Sequence, residues 1–192
     1  VRSASSATVA CPSILFNAIP KSASTYCYTM IMQGLNLLEN SISLGYFPKD
    51  MIVWKRLAAF GSGSQIAHHH IDASPVNIWF LQQRKIKTIL HVRDLRQVVI
   101  SWTHHLVRSG ERHTPFQTIA AVPEAWFYSP LERQFDWMIE HHLPVFVTWV
   151  QEWIDAADRG DVEVLFSTYE EFLTDRNAFF GRIIRFCGLD DR

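Results

Sequence analysis

The sequence predicts a single-domain α/β protein with a central, mainly parallel β-sheet flanked by helices. Three observations predict it. Short, continuous apolar runs, such as Ile14-Leu15-Phe16, Ile86 to Val92 and Val162 to Phe166, read as buried strands. Segments with helical spacing follow them, the pattern that covers a parallel sheet on both faces. Between the first strand and its helix stand side chains suited to holding an anion. A chain of 192 residues is long enough for one domain with a substantial core.

Taken in order, Val1 to Ala7 is small and polar, without the apolar centre of a signal peptide. Residues 1–12 are expected to form a flexible N-terminal segment, and 13–192 the folded domain, which begins with a strand over 13–18. The stretch Asn17 to Tyr26 combines a lysine with three hydroxyl side chains, just ahead of a helix. That is the chemistry of an anion-holding helix N-terminus, where unpaired N–H groups carry partial positive charge. The helix pattern places Cys27, Met30, Ile31, Leu35 and Leu38 on one stripe. Tyr46-Phe47-Pro48 reads as a turn before a short helix carrying Met51, Trp54 and Leu57, and Gly61 to Ser64 as a flexible loop. Ile66 to Ile71 reads as a strand ending in histidines, with Ser74 and Pro75 opening the next helix.

Residues 86–92 read as another buried strand. Asp94 stands at an N-cap, and Leu95, Val98, Val99, Trp102 and Leu106 follow at helical spacing. Arg93 therefore lies at a strand end, where open α/β sheets bind their ligands. Residues 109–131 lack a period and contain three prolines, which marks a functional loop or lid. Residues 132–157 read as helices divided near Pro144. The strand 162–166 is followed by a short helix from Tyr169. A final helix carries Phe179, Phe180, Ile183, Ile184 and Cys187, with Gly188 at C′.

Composition excludes several classes. The net charge of −1 leaves no basic footprint for nucleic acid. No apolar run reaches membrane-spanning length, and three scattered cysteines make neither a disulfide framework nor a metal spacing. A cytoplasmic protein with no membrane or nucleic-acid partner is expected. Nothing in the sequence specifies an oligomeric state.

Three groups could carry chemistry. Lys21 precedes Ser22 in the loop, but no glycine is present, so this is not the common P-loop pattern. The bland alternative is a βα turn in which Ser24 or Thr25 caps the helix. Arg93 and Ser101 could together hold a second phosphate, the guanidinium as a fork and the hydroxyl as one donor; the alternative is a solvated arginine and a surface serine. His68-His69-His70 alternates two imidazoles onto one strand face. A metal site is disfavoured because no carboxylate or cysteine stands at ligand spacing nearby.

The segments Pro20-Lys21-Ser22-Ala23-Ser24-Thr25-Tyr26 and Arg93 to Trp102 resemble the 5′-phosphosulfate loop and the 3′-phosphate motif of sulfotransferases that use 3′-phosphoadenosine 5′-phosphosulfate (PAPS). Val164 to Leu173 and Ile184 to Leu189 resemble later segments of that family, in the same order. The resemblance implies a P-loop NTPase-like sulfotransferase fold. It implies transfer of a sulfuryl group from PAPS, as co-substrate and without metal, to a hydroxyl of a small-molecule or glycan acceptor. It assigns Lys21 and His70 to catalysis. Lys21, Ser22, Ala23, Ser24, Thr25, Tyr26, Arg93, Ser101 and Tyr169 would bind the cofactor.

Four departures stand out. Ala23 replaces the usual glycine, so its methyl either tightens the loop or forbids a positive φ. Tyr26 replaces tryptophan, and His68 stands where some members carry lysine. The chain stops at Arg192 without the family's basic, glycine-containing segment, so either the tail is missing or the site is completed differently, with Arg96 as a partial substitute. The alternatives are a nucleotide kinase-like phosphotransferase and a non-catalytic PAPS- or PAP-binding protein.

Overall fold

The computed structural model describes residues 11–109 and 121–189. The strands are β1 (Ile14–Ala18), β2 (Leu38–Glu39), β3 (Gln65–His69), β4 (Lys87–Val92) and β5 (Val164–Thr168). The helices are α1 (Ser24–Gly34), α2 (Trp54–Phe60), α3 (Pro75–Arg84), α4 (Leu95–Ser109), α5 (Leu131–His141), α6 (Leu143–Asp158), α7 (Tyr169–Thr174) and α8 (Arg176–Phe186). The sheet has the order β2-β3-β1-β4-β5, and every pairing is parallel. The predicted single-domain α/β architecture is the one observed.

β1 lies at the centre and is buried along its whole length. Its side chains divide between two cores with the strand period of two. Leu15 joins Leu90, Trp102, Phe146, Trp149 and Trp153 on one face. Ile14 and Phe16 join Cys27, Ile31, Phe179 and Ile183 on the other. The chain moves from β1 to β3 on one side and then returns to β4 on the other. This reversal opens a crevice over the C-terminal end of β1, the usual ligand position in such sheets.

Local chemistry explains where the helices end. Asn36 adopts a left-handed conformation, and Leu37 N–H bonds the Met32 carbonyl, which closes α1. Gly188 plays the same part after α8, with Leu189 N–H on Ile184 O. Thr168 and Glu171 form a capping box at the start of α7. Asp94 accepts from Arg96 N–H at the start of α4.

Several sequence expectations are corrected. The stripe through Met30 and Leu38 does not hold: α1 ends at Gly34, Leu38 is 72% exposed in β2, and Met30 is 41% exposed. Met51 precedes α2 instead of riding on it. Of the expected lid over 109–131, residues 110–120 lie outside the described residues; Glu124–Tyr128 forms a 3-10 helix with Trp126 buried. Of the expected flexible segment 1–12, residues 1–10 lie outside the described residues. Cys11 is buried, and its carbonyl accepts from Ser64 N–H.

Candidate active site

The loop after β1 is shaped by two residues in left-handed backbone, Lys21 (φ 64°) and Ala23 (φ 61°). The expected conflict at Ala23 is thus resolved in favour of the loop: the methyl is tolerated at positive φ. Such a conformation costs a non-glycine residue roughly 1 kcal/mol or more. Ala23→Gly is therefore expected to stabilise the protein by about 0.5 kcal/mol, the strain relieved less the added freedom of the unfolded chain. A rise in the urea midpoint at constant slope is the measurement.

Ser22 sits between these two residues, fully buried. Its hydroxyl donates to the Ile19 carbonyl at 2.7 Å, so the side chain is turned into the protein. Its own carbonyl accepts from His91 Nε2 at 3.0 Å. A trans peptide sends the next N–H in the opposite direction, so Ala23 N–H faces away from the buried imidazole. The N–H groups of Ser24 and Thr25 open α1 and have no acceptor among the described residues. Above them lies a cleft of about 430 Å³, lined by loop residues together with His68, His70, Arg93, Ser101 and Trp102. The hydroxyls of Ser24, Thr25 and Ser101 carry no hydrogen bond as donors among the described residues.

Arg93 leaves β4 at its C-terminal end. One guanidinium nitrogen donates to the Lys21 carbonyl at 3.1 Å, and the group lies 4.5 Å over the Tyr169 ring. Tyr169 contacts Phe172, and Phe172 contacts Tyr26, which is half exposed. Lys21, Arg93, Ser101 and His70 thus share one cleft, with Tyr169 and Tyr26 joined to it through aromatic contacts. Arg96 does not: it pairs with Asp94 at 2.5 Å on the exposed start of α4. Phe47 lies 6.0 Å from His70, whereas Trp54 stacks on Trp79 and Phe80 elsewhere.

The three adjacent histidines are separated by the strand period. His68 and His70 lie on the cleft side with ring centroids 5.6 Å apart. His69 points to the other side, accepts from Ile42 N–H and contacts Ser43, which donates to the buried Asp50. His70 Nδ1 lies 2.5 Å from the Ala18 carbonyl. A carbonyl only accepts, so Nδ1 carries the proton and Nε2 keeps its lone pair. Asn17 supports this placement, its amide bonding both the N–H and the carbonyl of Ile71.

Burial lowers the His70 pKa below its usual value, which holds the ring neutral. Burial also pushes His68 down to about 3, and His69 and His91 to about 4. These three groups bind protons in the unfolded chain that the native chain refuses. Their contribution is therefore present above the ordinary histidine value of 6.5 and is lost as pH falls toward about 4. Asp50, raised by burial, opposes the trend in part. The urea midpoint is expected to fall measurably from neutral pH to about pH 5; a flat midpoint would contradict the buried neutral state.

The family model for the sulfotransferase domain matches residues 17–192. The chain belongs to the sulfotransferase domain family. Among solved structures, this sulfotransferase domain is similar to mouse sulfotransferase SULT7A1 complexed with PAP, at 17% identity and a TM-score of 0.61. That match covers 93% of this chain and 59% of the mouse chain, so the domain spans less than two thirds of that relative's length. It is also similar to a sulfotransferase from Alicyclobacillus acidocaldarius, at 15% identity and a TM-score of 0.55, covering 94% of this chain and 82% of that one. No curated protein sequence matches the domain. Sequence reasoning overlooked His91, which the strand pattern presents only as one more position in β4. Its signal was a titratable residue inside an otherwise apolar run.

Proposed function

We propose that this sulfotransferase domain transfers a sulfuryl group from PAPS to a hydroxyl of a small-molecule or glycan acceptor, without a metal. The observation that carries the reading is the lining of the cleft. Two cationic side chains, Lys21 and Arg93, and three unengaged hydroxyls meet there, and no carboxylate is among the lining residues. A chain of near-zero net charge has thus concentrated anion-binding groups in one place. Arg93 and Ser101 come from the end of β4 and from α4, the other groups from the loop after β1, so two strand ends supply the lining, which suits a nucleotide with two anionic groups.

In this reading the loop N–H groups, with Ser24 and Thr25, hold the 5′-phosphate, and Ser22 contributes through its backbone. Arg93 and Ser101 hold the 3′-phosphate, and Tyr26 and Tyr169 border the adenine. His70 Nε2 takes the proton of the acceptor hydroxyl as that oxygen bonds to sulfur. The bond from sulfur to the phosphate oxygen breaks, and its electron pair stays on the phosphate, where Lys21 stabilises the charge. Positioning supplies the remainder of the rate. Phe47, buried and edge-on to His70, packs the imidazole from the core side. Among the described residues no helix is long and apolar enough to cross a membrane. With Cys11, Cys27 and Cys187 as free thiols, a cytoplasmic setting suits the chain.

Labelled PAPS with a panel of alcohols tests the transfer. Calorimetry separates the rivals: adenosine 3′,5′-bisphosphate should bind without metal, and ATP with magnesium should not bind more tightly. Nucleotide binding with no transfer to any acceptor would favour a binding protein. Arg93→Ala is expected to shrink the affinity gap between adenosine 3′,5′-bisphosphate and AMP by about tenfold or more, the worth of a charge-assisted hydrogen bond. An unchanged gap would remove Arg93 from the 3′-phosphate site.

A further inference from the structure

We infer that His91 is a positioning residue: its imidazole fixes the peptide between Ser22 and Ala23 so that the Ala23 N–H serves the anion in the cleft. The ligand assigned to that cleft rests on the function proposed above, whereas the loop geometry stands apart from it. His91 is fully buried on β4, between the rings of Phe16 at 5.4 Å and Phe179 at 5.8 Å. In apolar surroundings a polar ring needs a partner for each nitrogen. Both nitrogens have one. Nε2 lies 3.0 Å from the Ser22 carbonyl and must donate to it. Nδ1 therefore accepts, and Ser167 Oγ, 3.0 Å away, donates to it in preference to the Leu90 carbonyl at 3.5 Å.

This chain of hydrogen bonds runs from β5 through β4 to the loop: the Ser22 carbonyl fixes the tautomer, and Ser167 on β5 satisfies the nitrogen that is left. The Ser22 carbonyl is the acceptor that matters. Turned the other way, the same peptide would present oxygen to an anion and bury its N–H. Ala23, on one side of that peptide, is held at a φ of 61°, and the reversal would return it to ordinary backbone, which makes the reversal easy to reach. The imidazole sits beneath the loop and blocks it. His91 never touches the cleft, and its effect is carried by one peptide unit.

The test compares His91→Phe, which keeps a flat ring and removes the donor, with His91→Gln, which returns an N–H near the same place. Calorimetry with adenosine 3′,5′-bisphosphate reads affinity, and the Ala23 amide resonance of the unliganded protein reads the loop. His91→Phe is expected to weaken binding about tenfold and to move the Ala23 resonance, with His91→Gln restoring affinity to within about threefold of the parent. Unchanged affinity and an unmoved resonance in His91→Phe would overturn the inference, as would a folded His91→Gln no better than His91→Phe. Should His91→Phe not fold, Ser167→Ala decides. Without the Oγ donor Nδ1 is left buried and unpaired, so the ring should shift in its slot, its Nδ1 nitrogen-15 signal should move and affinity should fall by about threefold. An unaltered nitrogen-15 spectrum there would count against the proposal. Failure of the parent protein to bind the bisphosphate would defeat the assigned ligand, and the Ala23 and His91 resonances would still judge the loop.

Discussion

Replacing His70 with alanine is expected to slow sulfuryl transfer about 10²- to 10⁴-fold, the usual worth of a positioned general base. Affinity for adenosine 3′,5′-bisphosphate should change little, because the ring holds no phosphate in the proposed scheme. That split separates a base from a binding residue. Undiminished turnover in His70→Ala would remove the residue from its role. The pH profile gives a second readout. In the proposed scheme the base is the neutral ring, and burial lowers its pKa from 6.5. The acidic limb of the rate should therefore lie below the ordinary histidine range, with activity lost as pH falls through the lowered value. Ala18 O holds the Nδ1 proton, so the lone pair stays on Nε2, the nitrogen that the proposed scheme assigns to the acceptor.

Lys21→Ala is expected to cost about 10²- to 10³-fold in turnover, comparable to losing one donor at a developing oxyanion. Some affinity should be lost as well, since the ammonium also meets the ground-state anion. The loss in turnover should be larger, because negative charge grows on the leaving phosphate during the reaction. Burial, then the charges of Arg108 and Arg93, lower the Lys21 pKa from 10.5. The cation is thus given up at lower pH than usual, and the alkaline limb of the rate should move down accordingly. A variant that binds more weakly but turns over at the parent rate would reduce Lys21 to a binding residue.

Much of the site was legible because its chemistry sits at strand ends. Lys21 follows β1, His70 follows β3 and Arg93 follows β4, each marked by an apolar run beside it. Ser101 was legible as the second turn of a clearly periodic helix. The rest depended on register, which a sequence does not print. His91 pairs with Ser167 because β4 and β5 align there, and the link from His91 to Ser22 crosses 69 residues of chain. The inward turn of the Ser22 hydroxyl follows from left-handed backbone at neighbours that carry no glycine signal. Likewise, the separation of His69 from His70 was readable as alternation, but its partners Ser43 and Asp50 lie in a segment without any period. Leu38 misled because an apolar spacing continues past the residue where α1 stops, and Met30 because its place on α1 is an exposed one.

The strand order has a consequence for how the protein comes into being. β1 carries the loop, yet its neighbours β3 and β4 arrive only after long intervening stretches of chain. Parallel pairings of this kind are non-local and form late. During synthesis the cradle at residues 19–25 emerges first and has nothing to hold its shape until His91 and Arg93 have followed. On the proposed function, a nascent or half-folded chain therefore offers the nucleotide no site. Ligand capture marks the completed sheet, and nucleotide present during refolding should stabilise the finished domain without speeding the steps that lead to it.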